Sequence, residues 1–195
     1  PRQTTETGAP RPQDVETIAA MIGMDIHTES RLPQRMSHHR VESALDVPEV
    51  MVWWWALQEL GIIDVADTTV QLGENARQYV GVEGAIPFEA AETMIATYVK
   101  IFLIHGLEHA PLEVSSVGHT LGRLLNSLAN MPPATEASAD DFRGQLVQQR
   151  SDDYLASLYA FGLLDVHLRE PQIPEPLQGA VFYGLMMTMD YMDEF

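Results

Sequence analysis

The stretch Leu57-Gln-Glu-Leu-Gly-Ile-Ile-Asp-Val65 occurs a second time, in altered form, as Leu158-Tyr-Ala-Phe-Gly-Leu-Leu-Asp-Val166. In both copies a glycine ends a helical pattern and a short aliphatic run follows it. The offset of 101 residues continues without a gap, so that Gln71 falls on Gln172. A constant offset over this distance predicts a duplicated unit. The alternative is that two unrelated helix–glycine–strand junctions share a common local pattern.

The first copy is predicted to contain three helices followed by a hairpin. Pro48 suits the first turn of the third helix, and Gly61 suits the position just after its end. In chain order the predicted elements are the helices Asp14–Met24, Ser37–Leu45 and Glu49–Leu60, the strand Ile62–Val65, the hairpin tip Ala66–Thr69, the return strand Val70–Leu72 and a short helix Glu74–Val80.

The second copy is predicted to follow the same order. Ser151 is expected to cap its third helix and Gly162 to end it. In chain order the predicted elements are the helix Ser115–Ala129, a helix from Asp140 or Asp141 to Gln149, the helix Asp152–Phe161, the strand Leu163–Leu168, the tip Arg169–Pro171, the return Gln172–Ile173 and a closing helix Gln178–Met192.

These elements predict a division of the chain into two units. Between the copies, the long apolar pattern Pro87–His109 predicts a helix that Pro111 stops. The predicted segments are a disordered leader at 1–12, a first unit at 13–84, a connecting helix at 85–110 and a second unit at 111–195.

The order of helix, turn, helix, glycine and hairpin over Ser37–Val80 resembles a winged helix-turn-helix unit. That superfamily commonly ends its recognition helix in Leu-x-x-x-Gly-Leu/Ile-Ile/Leu before the wing. The resemblance is weaker over Asp141–Val181. It implies a mostly α fold with small β wings, in which two tandem winged-helix-like units are joined by the long helix. It also implies DNA binding, with the third helix in the major groove.

The charge of the chain opposes that last implication. There are 28 acidic and 11 basic side chains, which gives a formal charge of −17, and Lys100 is the only lysine. Such a charge repels phosphate and excludes a broad basic face for nucleic acid. The absence of cysteine excludes disulfides, thiolate zinc sites, iron–sulfur clusters and a cysteine nucleophile.

The predicted recognition helices also lack the side chains that read DNA. Base edges and phosphates are contacted mainly by Arg, Lys, Asn and Gln. Neither Glu49–Leu60 nor Asp152–Phe161 contains a basic residue, and each contains two acids. A DNA-binding regulator therefore stays the alternative function, and it would use Arg31, Arg35, Arg40 and Arg169. The other interpretation of the basic cluster is a set of surface charges that offset nearby acids.

Two unusually apolar helices suggest protein contacts. Trp53, Trp54 and Trp55 step about 100° each around a helix, so they cannot all share one narrow face. Tryptophan is enriched at interface hot spots, and methionine adapts to irregular surfaces. The alternative explanation of both features is burial inside the chain itself, which is the more common role of methionines at helical spacing. The candidate partner-binding residues are Met51, Trp53, Trp54, Trp55, Met186 and Met189.

One short motif has catalytic spacing. His105-Gly-Leu-Glu-His109 matches the His-x-x-Glu-His arrangement in which two histidines hold zinc and Glu108 polarises a water. A metal-dependent hydrolase is therefore a second alternative. Against it, the motif ends a helix just before Pro111 and lacks a recognisable third ligand. Histidines that complement the C-terminal helix dipole explain the motif without a metal.

The sequence as a whole predicts a non-enzymatic module for protein interaction or oligomerisation, with no cofactor. Its partner is expected to be another protein or a second copy of the chain. The most apolar window, Met94–Ile104, is too short to cross a bilayer, and residues 1–12 lack the apolar core of a signal peptide. We therefore expect no membrane association and a cytoplasmic location.

Overall fold

The computed structural model describes residues 2–21, 43–79, 86–107, 111–132, 141–167 and 170–193. These residues are 70% helical, which confirms the predicted mostly α fold. The chain divides into two compact units, Pro1–Tyr98 and Val99–Phe195, called here the first and second units. The division falls inside a helix that was predicted to connect the units, so that helix contributes residues to both.

The described elements follow one another in a simple order. The first unit contains β1 (Arg2–Gln3), α1 (Pro12–Met21), α2 (Pro48–Glu59), β2 (Ile63–Ala66) and β3 (Thr69–Leu72). The helix α3 (Phe88–Leu107) runs from the first unit into the second. The second unit continues with α4 (Pro111–Leu128), α5 (Phe142–Ala160), β4 (Asp165–His167), β5 (Glu170–Gln172) and α6 (Gln178–Asp193). None of the described helices is both long and apolar enough to cross a membrane.

Residues 2 and 3, predicted to belong to a disordered leader, instead contribute a strand to the sheet of the first unit. Arg2 and Gln3 pair with Val70 and Thr69, which makes β1 the third strand of an antiparallel sheet in the order β1-β3-β2. The backbone N–H of Thr4 continues this contact by donating to Thr68 O at 2.7 Å. A strand of two residues carries no alternation of polar and apolar side chains, which is why the sequence pattern did not reveal it.

The end of α2 follows the prediction. Gly61 has φ +64°, its N–H donates to Gln58 O at 2.9 Å, and the N–H of Ile62 donates to Leu57 O at 2.9 Å. These two bonds form a Schellman cap, which favours glycine because its left-handed backbone carries no Cβ. The β2–β3 hairpin begins directly after this cap. The predicted helix Ser37–Leu45 lies largely outside the described residues, and Ala44–Asp46 form a single 3₁₀ turn.

The second unit corrects the prediction of two helices on either side of Arg150. Residues Phe142–Ala160 form one continuous helix, because no proline or glycine interrupts the segment around Ser151. Ser151 does not cap a helix. It is buried, and its hydroxyl oxygen lies 3.0 Å from the hydroxyl oxygen of Thr120 on α4. Asp141 does cap α5, since its carboxylate accepts from the N–H of Gly144 at 2.8 Å.

The helix α5 ends as α2 does, whereas β4 and β5 have bounds that differ from the predicted strand Leu163–Leu168 and return Gln172–Ile173. Gly162 has φ +71°, and the N–H of Leu163 donates to Leu158 O at 3.0 Å. The β4–β5 hairpin follows, and α4 packs against α5, α6 and β5. Pro111 opens α4 rather than merely stopping α3, so α4 begins earlier than the predicted Ser115. The completely buried side chains of this unit include Val117, Leu124 and Leu185.

Candidate functional site

The three tryptophans of α2 point in different directions, as their spacing requires. Trp54 is 8% exposed, belongs to the core of the first unit and donates from Nε1 to Gly8 O at 3.0 Å. Met51 is buried in the same core. The assignment of Met51 and Trp54 to a partner surface is therefore wrong, because the chain covers both side chains itself.

Trp53 and Trp55 are both half-buried. The Trp53 ring lies 4.5 Å, centroid to centroid, from the ring of Tyr98, and the two planes are tilted by 33°. Among the described residues, the buried Nε1 of Trp53 has no hydrogen-bond partner. Trp55 is half-buried and packs against the edge of the core. Of the three tryptophans, Trp53 and Trp55 are therefore the two that remain partly exposed on the first unit.

The half-buried carboxyl group of Glu49 interacts electrostatically with Tyr98. Burial raises the pKa of Glu49, in the first turn of α2, above its ordinary value of 4.5. Burial also raises the pKa of the Tyr98 hydroxyl, and the negative charge of Glu49 adds to that shift. Both shifts favour the neutral forms of the two groups.

The raised pKa of Glu49 predicts how the stability of the first unit changes with pH. Because the folded-state pKa of Glu49 is raised, its contribution is most favourable below pH 4.5 and is lost as the pH rises through the shifted value. We expect Glu49→Gln to raise the urea midpoint at pH 7, with the difference from wild type shrinking as the pH approaches 4. The matched control is Glu74→Gln, which removes an exposed acid of the first unit. Equal shifts in the two variants would show general relief of charge repulsion instead.

The helix α6 presents an apolar face to solvent. Phe182, Met186 and Met189 follow one another at helical spacing and are 48%, 36% and 37% exposed. Tyr183, beside them, is 64% exposed. We call these four side chains the α6 stripe. The opposite side of the helix is covered within the second unit, where Val181, Leu185 and Thr188 are buried.

The predicted Met186 and Met189 candidates therefore do lie at the surface, and the sequence prediction missed their two aromatic neighbours. Helical spacing could have identified Phe182, because it lies one turn before Met186, just as Met189 lies one turn after Met186. The charged residues of α6 itself are all acidic. α6 contains no basic residue, and Asp190 and Asp193 are exposed at its C-terminal end.

The other sequence candidates are only partly placed by the structure. Arg31, Arg35, Arg40 and Arg169, the candidates for nucleic acid, lie outside the described residues. In the metal motif, His105 is half-buried in the last turn of α3, whereas Glu108 and His109 lie outside the described residues. Within the described ranges, no group of three His, Cys, Asp or Glu side chains is placed to hold a metal ion.

Polar contacts of the second unit join α4 to α5. The Tyr154 hydroxyl donates to Glu113 Oε2 at 3.1 Å, and Arg150 Nε lies 3.6 Å from Glu113 Oε1. Burial, followed by the negative charge of Glu113, raises the pKa of Tyr154. Asp152, expected near a helix start, instead forms an ion pair with Arg123. These groups satisfy one another across the helix pair, so they act as a structural link.

The chain matches no protein-family model, no curated protein and no solved structure. Among the sequence-predicted partner-binding candidates that the structure places, Met186 and Met189 are the most exposed.

Proposed function

We propose that this protein is a non-enzymatic interaction module, built from two winged-helix-like units, that self-associates through the α6 stripe. The observation that carries the proposal is the exposure of four apolar side chains on one face of a helix whose other face is buried. Exposed apolar patches larger than a few hundred Å² typically mark interaction sites.

The winged-helix-like part of the proposal rests on the order of elements. In the first unit α2, the Gly61 cap and the β2–β3 hairpin follow one another as in a recognition helix and its wing. In the second unit α5, the Gly162 cap and the β4–β5 hairpin repeat that order. The lack of basic residues in α2 supports a role other than DNA binding for the first unit.

The charge of α6 supports a second copy of the chain as the partner. A helix carries partial positive charge at its N-terminal end and partial negative charge at its C-terminal end. α6 has no acid in its first turn and no base in its last, while Asp190 and Asp193 lie near its end. An antiparallel pair related by a two-fold axis near Met186 places each acidic end beside the N-terminal turn of the partner's helix. This arrangement offsets both unfavourable ends and pairs the two stripes.

Cysteine crosslinking tests this arrangement directly. The chain contains no cysteine, so a single introduced thiol is a unique probe. We expect Met186→Cys to form an intermolecular disulfide in more than half of the chains under mild oxidation, because the residue meets its own copy at the two-fold axis. The control is Tyr159→Cys on α5, which places a thiol at a side chain that is 53% exposed.

Crosslinking of Met186→Cys at the same rate as Tyr159→Cys would contradict the proposed pairing, because random collisions produce that result. Reduced samples of both variants should retain the helical content of the wild type. That measurement separates a failed interface from a failed fold.

A further inference from the structure

A groove of about 390 Å³ opens on the first unit. Its volume falls in the range of small-molecule sites, about 300–1,000 Å³. One wall is α2, which contributes Trp54, Trp55 and Gln58, and the opposite rim is formed by the N-terminal loop and the hairpin tip. All of these residues belong to the same compact unit.

The N-terminal loop is fixed in place at this groove. Trp54 Nε1 donates to Gly8 O at 3.0 Å, and the backbone N–H of Gly8 donates to Thr5 O at 3.0 Å. Gly8 has φ +76°, and a Cβ there would lie 3.0 Å from Val65 Cγ1. The loop therefore packs closely on β2. It holds Glu6 at the rim of the groove in the ligand-free chain.

The charged residues among those described at the groove are all acidic. Glu6 and Asp67 both line it and are exposed, and no Lys, Arg or His occurs among the described residues that line it. The half-buried ring of Trp55 lies in the same wall. Carboxylates attract a cation, and an indole face adds a favourable cation–π contact. Glu6 and Asp67 would repel an anion in the groove.

From this geometry we infer that the groove binds a small alkyl diamine in its doubly protonated form. One ammonium group pairs with Glu6 and the other with Asp67, while the alkyl chain lies along Trp55. The Gln58 amide and the Thr7 hydroxyl provide further polar contacts at the wall. None of the residues that line the groove belongs to α6. Diamine binding can therefore be tested independently of self-association.

Titration calorimetry with cadaverine tests the inference on the full chain. We expect saturable binding of one cadaverine per chain and no binding of the neutral analogue pentane-1,5-diol. Asp67→Asn and Glu6→Gln should each weaken cadaverine binding about tenfold, the scale of one lost charge-assisted hydrogen bond. Asparagine also tolerates the left-handed backbone of Asp67, which has φ +50°. Trp55→Leu should weaken binding as well.

The control distinguishes a built site from general attraction to a charge of −17. Glu74→Gln removes an exposed acid of the same unit outside the groove and should leave the affinity for cadaverine unchanged. An equal loss in Glu74→Gln and Asp67→Asn would overturn the inference, as would the absence of saturable binding. Unchanged circular dichroism in each variant confirms that the fold is retained.

Discussion

Replacement of Trp54 by alanine is expected to lower the free energy of unfolding of the first unit by about 3–5 kcal/mol. The side chain is 8% exposed and lies in a cluster with Val15, Val50 and Met51. Alanine leaves a cavity there and also removes the hydrogen bond from Nε1 to Gly8 O. The residues of the N-terminal loop should then lose their protection against hydrogen exchange, because their main link to α2 is gone.

Tryptophan fluorescence reports this effect selectively. The three tryptophans, at 53 to 55, all lie in the first unit, so their emission follows the unfolding of that unit in urea. Trp54→Phe is the matched variant, since it keeps most of the ring but loses the bond to Gly8, and it should lose much less stability than Trp54→Ala. A loss below 1 kcal/mol for Trp54→Ala would contradict the burial of this side chain.

Replacement of Gly73 by alanine should also strongly destabilise the first unit. A Cβ at Gly73 would lie 2.2 Å from the backbone oxygen of Gly61, so the backbone itself must move. That movement breaks the contact in which the Gly73 N–H donates to Ile62 O at 2.8 Å, and it disturbs the cap that ends α2. We expect a loss of about 3 kcal/mol or more, the range of changes that force strain into a packed site.

A second glycine makes the matched control, with the opposite sign expected. Gly118 is an exposed residue of α4, and a Cβ there would have no atom within 4 Å. Gly118→Ala should raise the stability of the second unit by about 0.5–1 kcal/mol, because alanine loses less conformational entropy in a helix. Circular dichroism in urea measures both variants. A small effect of Gly73→Ala would show that the two glycine backbones do not approach so closely.

Local signals predicted much of the fold. Gly61 and Gly162 were recognised as helix ends because few other residues adopt the left-handed conformation that a Schellman cap needs, and both have positive φ. The β2–β3 hairpin followed from its alternation and its turn. The missed features depend on contacts remote in sequence. β1 pairs across more than 60 residues with β3, and Ser151, predicted to cap a helix, instead meets Thr120 of α4 from within the continuous helix α5.

The candidate site was less predictable, for the same physical reason. Amphipathic spacing shows that a helix has two faces, but it does not show which of two apolar faces is covered. In α2 the chain covers Met51 and Trp54, whereas in α6 it leaves Met186 and Met189 at the surface. Glu6 and Asp67 both line the groove of the first unit. They are far apart in sequence, so only the folded N-terminal loop brings them to the same groove.

The net charge of −17 opposes self-association, so the proposed pairing must overcome repulsion between copies. Screening by salt shortens the range of this repulsion to about 8 Å at physiological ionic strength. Association through the α6 stripe should therefore strengthen as salt rises, the reverse of an interface held by ion pairs. This dependence separates apolar pairing from charge-driven binding.

The mass in solution tests the central claim most directly. Sedimentation equilibrium of the wild-type chain, at physiological salt and tens of micromolar, should give twice the 21.7 kDa of one chain. The double variant Phe182→Ser with Met186→Gln leaves the net charge unchanged and should give 21.7 kDa. A wild-type chain that stays at 21.7 kDa at every concentration would contradict self-association through α6, as would a double variant that keeps the doubled mass.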